Sequence, residues 1–162
     1  VLVQVLKELG ETPHEVHFVF TVQEEVGLRG AQTSAYGVDA EVGIAVDVTT
    51  TGDTPEARTM AVSLGSGPAI KVKDRGMLSH PGVRRWLVET AEREGIPYQL
   101  EVLEAGTTDA TVMQTTRAGV PVGVLSIPTR YVHTPSEMVD YGDVLGAVRL
   151  LVALLRSPAS LG

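Results

Sequence analysis

Cysteine is absent from the sequence and aromatic residues are scarce, with one tryptophan, two phenylalanines and four tyrosines in 162 residues. The missing thiols exclude a disulfide framework and a thiolate metal site, so any metal would rest on histidine and carboxylate ligands. Positive charge is short too. Thirteen lysines and arginines stand against 20 aspartates and glutamates, a net charge of −7, which leaves no basic stripe for a phosphate backbone and argues against a nucleic-acid partner. Nor is there a long hydrophobic run. The most apolar stretch, 144–155, is interrupted by Arg149 and is about half the ~20 residues a membrane-spanning helix needs. It reads as a packed terminal helix, and no membrane association is expected. The opening VLVQVLKELG has no basic leader region or small-residue cleavage site, and a cytoplasmic location is the expectation.

What is present fits one packed domain. Hydrophobic residues make up 43% of the chain and charged residues 20%, a balance that supports a core rather than disorder. The length suits a single domain over 1–162. Val1, Leu2, Val5, Leu6 and Leu9 follow helical spacing with no capping residue or initiator methionine before them, so the chain reads as opening inside a helix. The run 17–22, HFVFTV, is β-branched and aromatic and has the length of a buried strand. A second such strand over 42–48 ends in a carboxylate, and further strands are predicted over 69–72, 98–102 and 120–127. Helices are predicted over 28–36, 81–94, 108–117 and 139–155, with loops over 49–67 and 128–137. Strands alternating with helices predict an α/β fold whose largely parallel or mixed central sheet is covered on both faces.

Ligands gather at the carboxyl ends of strands in open α/β sheets, and polar residues sit there. Glu24 and Glu25 follow the first strand, Asp47 ends the second, and His133 lies beyond the strand that closes at Ile127. A histidine with several carboxylates, no cysteine and no nucleophile elbow points to metal-assisted hydrolysis rather than acyl-enzyme chemistry. When a turn directs adjacent glutamates apart, one can bind a metal while the other accepts a proton from an activated water. As a bare pair, adjacent glutamates after a strand are more often a solvated turn. Asp47 among apolar neighbours is costly to bury unless paired or metal-bound, though aspartate also serves as a cap. His14, His17 and His80 read as turn, strand-start and helix-cap residues, and Thr107-Thr108-Asp109 as a cap for the following helix.

Four segments taken together carry a resemblance: TVQEEVGLRGA at 21–31, IAVDVT at 44–49, AGTTDA at 105–110 and SIPTRYVHTPSEMV at 126–139. In order and spacing they resemble the dinuclear metal aminopeptidases that form tetrahedral particles, the family of glutamyl and deblocking aminopeptidases. The resemblance covers nearly the whole chain and implies the C-terminal portion of a zinc-exopeptidase-like catalytic domain, incomplete at its N-terminal side. It makes Glu24 the general base, Glu25 and His133 ligands of one metal, and Asp47 a ligand of the other. Asp109 and Arg130 would lie on the substrate side or behind the ligands. The family pattern also includes an upstream histidine and an aspartate bridging both metals, the latter just before the helix with which this chain opens. Neither is in this sequence, nor is the family's second domain used in assembly.

The implied activity is release of N-terminal residues from peptides with a free N-terminus, by water activated between two divalent ions, zinc or cobalt. The family assembles as a homo-oligomer, a tetrahedral dodecamer. Short of ligands, this segment by itself is expected to be inactive. Two readings stand beside that one: a non-catalytic fragment or interaction module, and a glycoside hydrolase of the endoglucanase type with two carboxylates as acid and base. Adjacent carboxylates after one strand rarely face each other across a sugar, and His133 has no role in that scheme.

Overall fold

The computed structural model describes residues 1–159 and Leu161. Helix α1 (Leu2–Glu8) and a long run without regular structure lead to α2 (Arg29–Val38), β1 (Gly43–Thr50) and β2 (Ala69–Lys73). Then follow α3 (Pro81–Arg93), β3 (Gln99–Val102), the single turn α4 (Ala110–Met113), β4 (Val122–Arg130), the two-residue β5 (Met138–Val139) and α5 (Tyr141–Arg156). The strand order is β1-β4-β2-β3, with β5 against the end of β4. β1 pairs with β4 in parallel, Asp47 opposite Ser126, while β2 runs antiparallel to β4 and parallel to β3. The sheet is therefore mixed. Among the described residues no helix is long and apolar enough to cross a membrane.

β4 is the central strand, and its near-continuous apolar sequence follows from burial on both faces: every residue from Val122 to Thr129 is buried. Its side chains alternate between two cores. Leu125 and Ile127 pack with Val5, Val83, Leu87 and Leu150 from α1, α3 and α5; Val122 and Val124 pack with Met77 and Ala110 on the α4 side. The ends of the long helices are specified locally. His80 caps α3 by accepting from the Gly82 N–H at 3.2 Å, with Pro81 next, and Gly95 at φ +61° turns the chain beyond its end. Asp140 caps α5 by accepting from the Gly142 and Asp143 amides.

The α4-side core is also polar. Lys71 on β2 is wholly buried, its Nζ 3.1 Å from Glu101 Oε1 and 4.0 Å from Asp74 Oδ2. The Thr49 hydroxyl donates to the same Glu101 oxygen at 2.5 Å. β1, β2 and β3 are thereby tied together behind the end of β1.

Three sequence expectations are corrected. Residues 17–22, expected to be a buried strand, form no regular element and belong to no sheet, and Phe20 and Val22 are exposed. β-branched and aromatic composition favours a strand only where a pairing edge is at hand, and these residues pair with no strand of the described sheet. The helix expected over 108–117 shrinks to Ala110–Met113, because Arg117, at φ +49°, turns away to reach the Tyr36 carbonyl and Asp39. Finally, the loop expected over 128–137 is partly strand, since β4 continues to Arg130.

Candidate metal centre

Glu24 and Glu25 sit in a tight turn that closes onto α2. The Gly30 amide donates to the Val22 carbonyl at 3.0 Å, and the Gly27 and Leu28 amides donate to the Glu24 carbonyl at 3.1 and 2.9 Å. Gln23 and Leu28 adopt left-handed backbone angles, φ +59° and +57°, which non-glycine residues hold only where the surroundings enforce it. Gly30 is required by contact: a Cβ there would stand 2.5 Å from the Val22 carbonyl oxygen. The turn sends the two carboxylates to different neighbours. Glu25 Oε1 lies 3.0 Å from His133 Nε2, while Glu24, half-buried, shares a field with Asp47 and Asp109.

His133 reaches that position from a second strained turn. Tyr131 and His133 are left-handed at φ +60° and +64°. The Thr134 amide and hydroxyl both donate to the Tyr131 carbonyl, and Glu137 Oε1 accepts from the His133 N–H at 2.7 Å. The His133 and Glu25 side chains are 71% and 72% exposed, and a pair so open to water contributes little to stability. The left-handed backbone at Tyr131 and His133 is thus held by the Thr134 and Glu137 hydrogen bonds and not by the exposed ion pair.

The electrostatics describe a concentration of negative charge. Burial pushes the Glu24 carboxyl pKa up, and Asp47, Glu25 and Asp109 push it further, with His133 opposing. Burial also raises Asp47, against the Val48 N–H, which donates to Asp47 Oδ1 at 2.7 Å, and the buried Lys71 ammonium. Asp109 accepts from the Thr21 hydroxyl through Oδ2 at 2.7 Å, but its buried Oδ1 has no hydrogen-bond partner. Neighbouring carboxylates with an unpartnered buried oxygen carry an electrostatic and desolvation cost that positive charge would offset. Oxygen and imidazole donors suit a divalent ion in type. In number they fall short: among the described residues no three His, Asp or Glu side chains come together closely enough to hold one, whereas catalytic zinc generally has about three protein ligands.

Arg130 is turned elsewhere. Its Nε and Nη2 donate to Asp53 at 3.1 and 2.8 Å, and Asp53 Oδ2 also accepts from the Leu64 amide. The clamp ties the 49–67 loop to the end of β4, and the guanidinium holds the Asp53 carboxyl well below the usual carboxylate range. Sequence reasoning missed Asp53, Thr21 as the anchor of Asp109, and Lys71. Only Thr21 lay inside a motif; a lysine in the strand AIKVK gives no sign that it is buried.

Carboxylates and a histidine, the residue types that metal-dependent hydrolases use, lie near one another at one side of a mixed α/β sheet. The sequence profile of the M42 glutamyl aminopeptidase family matches residues 1–150, and the chain belongs to that family. It is similar to a lysyl aminopeptidase of Pyrococcus furiosus, 41% identical over 155 residues that make up 95% of this chain and 44% of that protein. Among solved structures it superposes with a TM-score of 0.92 on the aminopeptidase APDkam598 from the archaeon Desulfurococcus kamchatkensis, 43% identical, covering 98% of this chain and 46% of that one. It also superposes on the Pyrococcus horikoshii TET1 peptidase, which can assemble into a tetrahedron or a large octahedral shell, with a TM-score of 0.73 and 33% identity over 84% of this chain and 39% of that one. The chain thus spans less than half the length of the relatives it matches.

Proposed function

We propose that the protein to which this chain belongs is a metal-dependent aminopeptidase and that residues 1–162 are the C-terminal portion of its catalytic domain. The observation that carries the reading is the Glu24–Glu25 turn, which offers one carboxylate to His133 and keeps the other beside the half-buried Asp47 and Asp109. Glu25 and His133 would hold one divalent ion and Asp47 a second, zinc or cobalt. When bound, such ions supply Lewis acidity that polarises a scissile carbonyl and makes water a competent nucleophile near neutral pH.

The remaining work falls to the side chains. Glu24, with its pKa raised toward the working pH, accepts a proton on a carboxylate oxygen and returns it to the leaving amine. Asp109, anchored by Thr21, stands beside Glu24 and Asp47 as a charge that keeps the proton on Glu24. Arg130 fixes the rim loop through Asp53 rather than meeting substrate. Free N-terminal peptides are the substrate class, the assembly is a homo-oligomer, and the compartment is the cytoplasm. A glycosidase reading has no use for the Glu25–His133 pair.

The test uses the full-length enzyme bearing this segment. Glu24→Gln should retain metal while lowering turnover of an aminoacyl-anilide by roughly 10²–10⁴. Glu25→Gln and His133→Ala should lower metal affinity, read by titration against a chelator. Near-normal turnover in Glu24→Gln would remove Glu24 as the base.

A further inference from the structure

The wholly buried Lys71 ammonium stands between two buried carboxylates, its Nζ 3.1 Å from Glu101 Oε1 and 4.0 Å from Asp74 Oδ2. Each carboxylate reaches on to a threonine. Glu101 Oε1 accepts from the Thr49 hydroxyl at 2.5 Å. Asp74 Oδ1 accepts from the Thr107 hydroxyl at 3.1 Å, and from the Gly76 and Met77 amides at 2.8 Å each. Thr49 lies two residues beyond Asp47, on the same face of β1. Thr107 lies two residues before Asp109. One buried cation is therefore the junction of two arms, and each arm ends two residues from one of the aspartates that stand beside Glu24.

Tying strands together does not by itself account for this network. A buried ion pair replaced by apolar side chains of similar volume often leaves a protein as stable or more so, because both charges must be stripped of water. Here the balance is poorer still. One cation faces two carboxylates, and Glu101 Oε2 and Asp74 Oδ2 are buried with no hydrogen-bond partner. A buried network only partly satisfied costs stability. What charge-assisted hydrogen bonds supply beyond apolar contact is direction: each fixes the hydroxyl that it engages, and so the backbone that carries it.

We infer that Lys71, with Glu101 and Asp74, is a positioning residue of the candidate centre: by way of Thr49 and Thr107 it sets where Asp47 and Asp109 are held relative to Glu24. Being wholly buried, it acts through those hydroxyls and not on substrate. The inference rests on the metal-dependent reading above and adds to it a group that no motif marks. Misplacing a reacting group by about an ångström lowers turnover by up to ~10², even when the substitution lies far from the chemistry. Loss of either arm should therefore be felt in kcat more than in KM.

The full-length enzyme tests it, by removal of one hydroxyl at nearly constant volume. Thr49→Val and Thr107→Val should each lower kcat for an aminoacyl-anilide by on the order of tenfold to a hundredfold, with KM little changed. Thr49→Val, whose arm ends at a proposed ion ligand, should also change the visible absorption spectrum of the cobalt-loaded enzyme. Thr49→Ser and Thr107→Ser keep the hydroxyl and should restore these readouts. Lys71→Met combined with Glu101→Gln removes one buried charge of each sign. In that double variant the thermal midpoint should hold or rise while kcat falls as in the threonine variants. Unchanged kcat in either threonine variant, or an unchanged cobalt spectrum in Thr49→Val, overturns the inference whatever the thermal midpoints. So does a double variant with unaltered kcat, or one that fails to fold, since the network would then be scaffolding. An unaltered enzyme that takes up no cobalt refutes the metal reading and this inference with it; one that takes up cobalt and is matched by its threonine variants refutes the inference alone.

Discussion

Glu24 and Asp53 respond to pH with opposite signs, and the pair separates the chemistry of the site from the scaffolding of its rim. Glu24 is raised by burial and by three carboxylates, so the folded chain keeps its proton at a pH where the unfolded chain, with an ordinary glutamate near ~4.3, has lost it. Its contribution to stability is complete below that ordinary value and is lost as pH rises through the raised one. Asp53 is depressed, first by the hydrogen bonds from Arg130. Its contribution is present above the ordinary aspartate value of ~3.9 and fades only as pH falls through the depressed one. In the metal-free chain, thermal midpoints measured from about pH 4 to about pH 7 should therefore flatten toward neutrality in Glu24→Gln, while Asp53→Asn lowers the midpoint across that range. An unchanged slope in Glu24→Gln would show that the carboxylates do not repel as their positions imply. Glu24, Glu25, Asp47 and His133 were legible in the sequence as candidates because each follows or ends a run that reads as a strand. Asp53 and Lys71 were not, because their partners, Arg130 and Glu101, are chosen by the fold and lie far along the chain.

At the scale of elements, legibility tracked how much of the specifying contact is local. Helices α3 and α5 were readable to within a few residues because apolar periodicity, His80 or Asp140 at the start, and Gly95 after α3 are all written within one segment. β4 was readable because burial on both faces demands a continuous apolar run, and β1 because its β-branched and apolar residues have the length of a strand. The direction of β2 was not, since nothing in AIKVK distinguishes antiparallel from parallel pairing, and the run 17–22 shows strand composition without a strand partner. The junction between the Glu24–Glu25 turn and α2 yields a contrast in sign within one helix. At Gly30 a methyl group would collide with the Val22 backbone. Gly30→Ala should therefore destabilise by about 1–3 kcal/mol, the range of overpacking, and pull Glu25 away from His133. At Gly37, in the same helix, a Cβ meets nothing within 4 Å. Gly37→Ala should be neutral or stabilising by up to about 1 kcal/mol, the helix-propensity difference. Urea midpoints of the two variants decide it, and equal effects would mean that the Gly30–Val22 contact does not hold the turn.

At the scale of the whole molecule, the donors in this chain are gathered but do not close around an ion. Glu25 and His133 pair with one another, Asp47 stands apart with its Oδ1 engaged by the Val48 amide, and Asp109 keeps one oxygen without a partner. On the proposed assignment, two ligands for one ion and one for the other fall below the roughly three that catalytic zinc generally has, and among the described residues no three His, Asp or Glu side chains come together closely enough to hold an ion. Burial, and after it the neighbouring Asp47, Glu25 and Asp109 charges, favour protonated Glu24, so a weakly held ion would have to compete with protonation there. The expected outcome is that the 162-residue chain, purified and incubated with zinc or cobalt, retains well under one ion per chain by elemental analysis and cleaves leucyl- or glutamyl-anilide no faster than a Glu24→Gln control. The full-length protein should bind metal and lose its activity to a chelator. Two tightly held ions and sustained, chelator-sensitive turnover in a verified 162-residue product would show that the donors close around metal without help, and that the geometry of the Glu25–His133 pair rearranges when an ion arrives.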